Sequence, residues 1–389
     1  PLSLSDSTLQ AWLTVENVSI TSIGMFSLVG FPYLLKFIWA PLLDWLNLGF
    51  LGRRKDWIFI FQLCVAASLF CMGQMSFTEN QLYIVGAIAF SIALFSASQD
   101  IVVDAYRADV SMANERALAA AISVTGYRIA MIVSGAGALI AAQTIGFNIV
   151  YSLLGLMMVI CAVLNFVFPN VQGGVSKQNQ GFKSLAAPFF DLLVRKEFVL
   201  IIFLVLTYKL GDAFAGRLTT TFLLRHLEFS LVDVGSINKA LGLAASIIGA
   251  IYGGVFVYRF GLYSSLLYFG ILQALTNLGF FLLSLFEKNY FGLITVIGLE
   301  NLAGGMGTAA FIAFLMNICN KSYTATQFAI LTAVASLARV FSGPPSGFLV
   351  ESYGWSLFFI FSFLVALPTI IVLRLYKAQL DSYFSQQSI

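Results

Sequence analysis

The chain has 389 residues, 59% of them hydrophobic and only 10% charged, with a formal net charge of +3 and a mean hydropathy of +0.91. Soluble domains carry about 25% charged residues, so this composition excludes a water-soluble globular enzyme, and the charge is too small to argue for a nucleic-acid partner. What remains is a multi-pass protein of the lipid bilayer.

A spanning helix needs roughly 20 apolar residues. Residues 1–15, "PLSLSDSTLQAWLTV", read as the outer half of a first helix whose beginning precedes Pro1, and they lack the basic start and apolar core of a signal peptide. Eleven full spans follow near 19–46, 57–75, 80–109, 115–142, 147–169, 197–227, 231–258, 262–286, 289–318, 323–350 and 354–375. The expected fold class is therefore an all-α membrane protein of twelve transmembrane helices, the first truncated here. The polar stretch 170–195 reads as a cytoplasmic linker between an N-terminal six-helix half, 1–169, and a C-terminal six-helix half, 196–389. Two such halves are a standard transporter plan.

With the loop "GFLGRRKDW" on the cytoplasmic side, alternation places thirteen Lys and Arg in the cytoplasm: Arg53, Arg54, Lys55, Arg107, Arg116, Lys177, Lys183, Arg195, Lys196, Arg259, Lys321, Arg374 and Lys377. Only Arg225 and Lys288 fall outside. Positive charge stays inside, so both termini of the complete protein are expected in the cytoplasm, and six basic residues are left within the membrane.

Those intramembrane charges follow a three-helix rhythm. Helices one, four, seven and ten hold carboxylates: Asp6, then Asp100 and Asp104, then Asp212, then Glu300. Helices two, five, eight and eleven hold one basic residue each: Lys36, Arg128, Lys239 and Arg339. Helix seven adds Lys209 and Arg217, and helices three, six, nine and twelve hold no charge. A charge at the bilayer centre costs about 2.5–3.5 kcal/mol on insertion scales, so the order points to a repeated unit in which one helix lines a cavity, one supports it and one faces lipid. The lining helices carry polar stripes at helical spacing: Ser3, Ser7, Gln10 and Thr14 on the first; Ser96, Asp100, Asp104 and Arg107 on the fourth; Lys209, Asp212, Gly216 and Thr220 on the seventh; Glu300, Gly304 and Thr308 on the tenth, next to Asn301. Four stripes would make a polar core where the halves join.

A carboxylate in such a core can take up a proton in one conformation and lose it in another. Asp100 and Asp104, one helical turn apart, read either as a pair sharing a proton or as an inner-side charge cluster pairing with Arg107 or Arg116. Asp212 and Glu300 read as holders of cations or as proton carriers themselves. Arg128, Lys209 and Arg339 suit an anionic substrate, because guanidinium and ammonium groups bind carboxylates. The Lys209–Asp212 pair also has a purely structural reading. Trp12, Trp39, Tyr33 and Tyr127 could stack on sugar rings; Trp12 equally fits the outer membrane interface. No phosphate-binding loop, metal-ligand cluster or nucleophile–base set stands out, so no cofactor and no metal are expected. The four cysteines read as buried free thiols, His226 as a surface residue, and "GGMG" (304–307) as a site of close helix packing.

"LLDWLNLGFLGRRK" resembles the loop motif between helices two and three of the major facilitator superfamily, with Asp44, Gly52, Arg53 and Arg54 at matching positions and Ala40 in place of its first glycine. In "GGVFVYRFG" of the second half, Gly254, Arg259 and Gly261 are in register, and Tyr258 stands in the acidic position. The segments "TLQAWLTVENVSITSIGMFSLVGFPYLLKFIWAPLLD", "SASQDIVVDAYRADV", "YKLGDAFAGRLTTTFL" and "ENLAGGMGTAAFIAFLMNICNKSYTATQFAILTAVASLARV" resemble the AmpG family of muropeptide permeases. The resemblance implies a monomeric carrier in the inner membrane of a Gram-negative bacterium. It would import N-acetylglucosaminyl-1,6-anhydro-N-acetylmuramic acid and its peptides with protons, feeding cell-wall recycling and, in some species, β-lactamase induction. The superfamily motif would brace an inward gate. Within the same class stands a carrier of another bulky anion such as acetyl-CoA; from other classes, a non-transporting muropeptide sensor or a membrane enzyme.

Overall fold

The computed structural model describes residues 2–36, 38–46, 48–49, 51–76, 81–110, 126–168, 191–195, 197–320 and 324–380, and every regular element among them is a helix. The start expected for the fifth span, Arg116, the linker residues 170–190 with Lys177 and Lys183, Lys196 and Lys321 lie outside the described residues. Nine described helices are long and apolar enough to cross a membrane. In chain order the helices are α1 (Ser7–Val15), α2 (Ile20–Leu35), α3 (Arg53–Gly73), α4 (Leu82–Val110), α5 (Gly126–Ile145) and α6 (Phe147–Leu164). They continue with α7 (Phe198–His226), α8 (Leu231–Phe260), α9 (Leu262–Leu285) and α10 (Tyr290–Ile318). A last helical run is divided by Gly354 into α11 (324–353) and α12 (355–375).

The three-helix rhythm of charge is also a rhythm of backbone. Each third helix (α3, α6, α9, α12) is entered through a glycine at positive φ: Gly52 at 115°, Gly146 at 80°, Gly261 at 81° and Gly354 at 79°. The ψ values run from 145° to 173°, a region that only glycine occupies readily. Three of the second helices contain a non-α stretch: a 3₁₀ segment at Phe26–Gly30 in α2 and π segments at Ile132–Gly137 in α5 and Val234–Leu241 in α8; in α11 the α-helical backbone runs on through Ser342. The first helices of the triplets, expected to line a cavity, alternate. α1 is preceded by a break at Asp6, and α7 is broken at Tyr208–Lys209 and again at Leu218; α4 and α10 are unbroken and 29 residues long.

The chain forms two compact units: Pro1–Val18 with Leu28–Lys177 and Ser230–Ser236, and Ser19–Ser27 with Gln178–Phe229 and Ile237–Ile389. Two short stretches thus pack away from their sequence neighbours. Ser19–Ser27 seats on α11: Thr21 donates its amide and hydroxyl to the two oxygens of Glu351 at 3.0 and 2.5 Å, Ser27 donates to the Val340 carbonyl at 2.7 Å, and Gly24 approaches Gly343 and Gly347 with no room for a Cβ. Ser230–Ser236 seats on α5, where the Leu231 amide donates to Gln143 at 3.0 Å.

The first unit has an apolar cluster of Leu43, Ile58, Phe61 and Val102; the second has a larger one built on Leu204, Val205, Phe269, Phe314 and Leu331. On α6, Ile149, Leu153, Leu156, Ile160 and Val163 stand exposed, an arrangement that suits acyl chains rather than water. α9 has two faces: Tyr268, Leu275, Leu282 and Leu285 stand exposed on one, and Gln273 and Asn277 are buried on the other, where a polar side chain finds the protein interior rather than hydrocarbon. Of the cysteines all are free, but only Cys319 is buried, and Cys71 is exposed on apolar α3.

Ahead of the N-terminal end of α7, outside the apolar spans, Asp191 organises a polar network. Arg195 and Gln327 donate to its Oδ2 at 2.6 and 2.7 Å, and Asn320 to its Oδ1 at 3.1 Å. Arg195 also donates to the Ile318 carbonyl, placing a cation at the C-terminus of α10 where the helix dipole favours one. Burial raises the Asp191 pKa, but these hydrogen bonds outweigh it and hold the carboxyl below the usual aspartate range.

Helices α8 and α10 meet through glycines. A Cβ at Gly249 would strike Leu302, one at Gly253 would strike Met306 and one at Gly305 would strike the Ser246 carbonyl, whereas Gly304 has open space. The "GGMG" expectation of close packing therefore holds for Gly305 and Gly307 and not for Gly304. Gly305→Ala should cost about 1–3 kcal/mol through overpacking, while Gly304→Ala should leave thermal unfolding in detergent unchanged; equal effects would contradict the seam. Asp191→Asn should cost about 1–3 kcal/mol at pH 7. Because the folded pKa is lowered, that stability is present above the ordinary aspartate range and is lost as pH falls through the folded value. Unfolding temperatures of the two proteins should converge on acidification.

Candidate functional site

The carboxylates and cations predicted from the sequence gather in two clusters, one in each unit. In the second, α7 breaks at Tyr208–Lys209, and Lys209 becomes the N-cap of the segment Leu210–Arg217. Gly211 keeps the chain close to α12: a Cβ there would lie 2.8 Å from the Ala366 Cβ. The Lys209 ammonium donates to Asp212 Oδ2 at 3.0 Å, to Gln273 Oε1 at 2.8 Å and to the Gly304 carbonyl at 3.1 Å. An ammonium has three N–H donors, so all are taken by α7, α9 and α10. Glu300 lies within electrostatic reach of Asp212, Lys209 and Lys239. Asn301 donates to Glu300 Oε2 at 2.7 Å and to the Ile297 carbonyl at 2.9 Å, and it packs on Gly242 of α8.

The first unit repeats the arrangement with different residues. Asp100 of α4 lies within electrostatic reach of Lys36, just past the end of α2, and of Asp104. Tyr33 is within reach of Asp100, Tyr127 and Asp6. In each unit, then, a carboxylate lies within electrostatic reach of a lysine of another helix: Asp100 of α4 with Lys36, and Glu300 of α10 with Lys209 of α7 and Lys239 of α8. Asp104 separates from this pattern. It is exposed and pairs with Arg107 at 3.1 Å, which is the charge-cluster reading of the pair.

The helix breaks are satisfied from inside. Tyr151, fully buried on α6, donates to the Leu4 carbonyl at 2.6 Å, just before the break at Asp6. Thr8 donates to the Ser134 carbonyl, in the π segment of α5, at 2.7 Å. In hydrocarbon a freed backbone carbonyl has no water to turn to, so these side chains make the irregular backbone tenable.

Other predicted residues are placed as follows. Ser7 is half-buried at the start of α1, and Gln10 is buried, its carbonyl accepting from Thr14 at 2.6 Å. Tyr127 is half-exposed on α5, with Arg128 half-buried beside it; Arg339 is exposed on α11. Trp12 is neither a sugar platform nor an interface anchor. It is 2% exposed and stacks on Phe147 with centroids 5.4 Å apart, in the stretch Thr8–Thr14 of α1 that is buried throughout. Trp39 donates its ring N–H to Ser98 at 3.0 Å. His226 is at the surface, as expected, stacked on Phe222 at 5.3 Å.

In the loop motif, Gly52 supplies the positive φ that starts α3, and Arg54 is half-buried. The side chains of Asp44 and Arg53 lie outside the described residues. The neighbours that sequence reasoning passed over carry the contacts: Lys55, buried, donates to the Phe168 carbonyl at 2.7 Å; Asp56 accepts from the Leu51 amide; Trp57 donates to the Leu46 carbonyl at 3.0 Å. Their only sequence signal was the uninterrupted run "GRRKDW". Gln273 was missed because a neutral residue leaves no mark in a pattern of charges.

Comparison with known proteins places this architecture. The Major Facilitator Superfamily profile matches residues 3–343. The chain is 44% identical over 382 residues to the anhydromuropeptide permease of Escherichia coli (strain K12), covering 98% of this chain and 78% of that protein. It is 31% identical over 385 residues to the putative transporter AmpG 4 of Rickettsia conorii (strain ATCC VR-613 / Malish 7), covering 96% and 92%. In fold it resembles the crystal structure of the nucleoside transporter NupG, with a TM-score of 0.70 at 15% identity over 96% of this chain and 93% of that one. It also resembles a bacterial homologue of the human lysosomal transporter Spinster, with a TM-score of 0.70 at 13% identity over 99% and 93%. The chain is a multi-pass membrane transporter that belongs to the major facilitator superfamily and, within it, to the AmpG family.

Proposed function

We propose that the chain is a proton-coupled importer of anhydromuropeptides across the bacterial inner membrane, working by alternating access of two six-helix halves, 1–169 and 196–389, joined by a cytoplasmic linker at 170–195. The observation that carries the substrate class is the 44% identity, along 98% of the chain, to the anhydromuropeptide permease of Escherichia coli. The thirteen-to-two distribution of loop cations supports an orientation with both termini of the complete protein in the cytoplasm. The carrier acts as a monomer and returns its cargo chemically unaltered, so it is not an enzyme.

Proton coupling rests on the repeated carboxylate–lysine arrangement. Asp100 and Glu300 each lie within electrostatic reach of a lysine from another helix, and moving that lysine nearer or farther changes how readily the carboxyl keeps its proton. Asp104 and Asp212, each already on a cation, set the local charge in this reading. A muropeptide brings carboxylates and sugar rings. Arg128, Arg339 and Lys36 would meet the former; Tyr127, Gln10, Ser7 and Asn301 would meet the hydroxyls and ring faces. Asp44, Gly52, Arg53 and Arg54 would brace the inward gate.

The test uses purified protein in liposomes, labelled N-acetylglucosaminyl-anhydro-N-acetylmuramic acid, and an imposed proton gradient. Asp100→Asn and Glu300→Gln should each cut gradient-driven accumulation at least tenfold while exchange of labelled for unlabelled substrate continues. Uphill accumulation that survives both substitutions would refute the assignment of the proton to these groups.

A further inference from the structure

Gln273 is one of two amide side chains, with Asn277 one turn on, buried on the inner face of α9, and it is 4% exposed. Its Nε2 donates to the Phe269 carbonyl one turn back at 3.2 Å, which fixes the amide and aims Oε1 at Lys209, 2.8 Å away. α10 makes room for it: a Cβ at Gly307 would overlap the Gln273 amide. The pair is thus a pin and its slot. The pin ends on one of the two residues that link the two pieces of α7, since Tyr208 and Lys209 lie between Phe198–Thr207 and Leu210–Arg217. The same ammonium reaches Asp212 and the Gly304 carbonyl. A broken helix bends where its hydrogen-bond ladder is interrupted, and here that point is tied to two neighbouring helices through one cation. With every donor of Lys209 held by protein, none is offered to a substrate carboxylate.

We propose that Gln273 is a positioning residue of the transport cycle: seated in the slot left by Gly307, it pins Lys209 across the break in α7, and this pin governs the rate of the conformational step rather than the affinity for substrate. The proposal rests on the transporter reading above, but the joint itself can be read without substrate.

Four variants test it: Gln273→Leu, Gly307→Ala, the two combined, and Gln273→Glu, which keeps the length and the acceptor. Uptake of labelled N-acetylglucosaminyl-anhydro-N-acetylmuramic acid into liposomes gives the maximal rate and KM; hydrogen–deuterium exchange of the substrate-free protein reports on the amides of 210–217. Gln273→Leu and Gly307→Ala should each lower the maximal rate at least tenfold with KM within twofold of wild type. The double variant should be no slower than either single one, because each removes the same bond. Gln273→Glu should recover at least half of the wild-type rate. Exchange at 210–217 should quicken at least tenfold in Gln273→Leu, with α4 unchanged. A tenfold rise in KM at an unchanged maximal rate, or wild-type rate and exchange in Gly307→Ala, would overturn the proposal. If wild-type protein takes up no muropeptide, the substrate reading fails and the exchange comparison alone decides the pin. If Gln273→Leu does not fold, the rate–KM split of Gln273→Glu and the exchange of Gly307→Ala decide it.

Discussion

Hydrocarbon offers no hydrogen bonds. Any backbone group or charge that leaves a regular helix within the membrane must find its partner inside the protein or remain costly. The rest of this structure follows from that constraint. Where α1 breaks, Tyr151 takes the Leu4 carbonyl; where α5 widens into a π segment, Thr8 takes the Ser134 carbonyl. Where α7 breaks, a lysine with three acceptors stands at the gap. These are places where irregular backbone has been made affordable, and they coincide with the helices that carry intramembrane charge.

The same constraint shapes how the helices meet. Among hydrocarbon chains apolar side chains gain little by association, so close packing has to supply the adhesion. Gly249 and Gly253 on α8 and Gly305 on α10 bring backbones together, and the faces left over, such as the row from Ile149 to Val163 on α6, remain exposed. Gly307 belongs to the same stretch but admits the Gln273 side chain rather than a neighbouring backbone.

Much of this was legible in the sequence. Charge is so expensive in a bilayer that its placement is informative, and sorting carboxylates and cations by helix was enough to anticipate a three-helix repeat. The glycines at Gly52, Gly146, Gly261 and Gly354 express that repeat in the backbone, yet a glycine in a sequence does not announce the sign of its φ. Trp12 misled because an aromatic residue near a helix end reads as an interface anchor until its neighbours Phe147 and Tyr151, far along the chain, are known. Asp100 and Asp104 looked equivalent by spacing; what separates them is that Asp104 finds Arg107 within its own helix, while Asp100 faces Lys36 from another. Gln273 and Asn277 escaped notice because no periodicity of charge includes an amide.

In the proposed function, each unit presents the same minimal device in different residues: a carboxyl on one helix, a lysine on another, and a break or widened turn nearby. A change in their separation would convert helix movement into proton affinity, as the proposed proton-coupled carrier requires. The most direct test is to record proton entry and labelled muropeptide entry together in liposomes containing the purified wild-type protein, starting with substrate outside and no proton gradient. The account predicts that downhill substrate entry carries protons inward at a fixed ratio and acidifies the lumen. Substrate entry with no accompanying proton movement would contradict it.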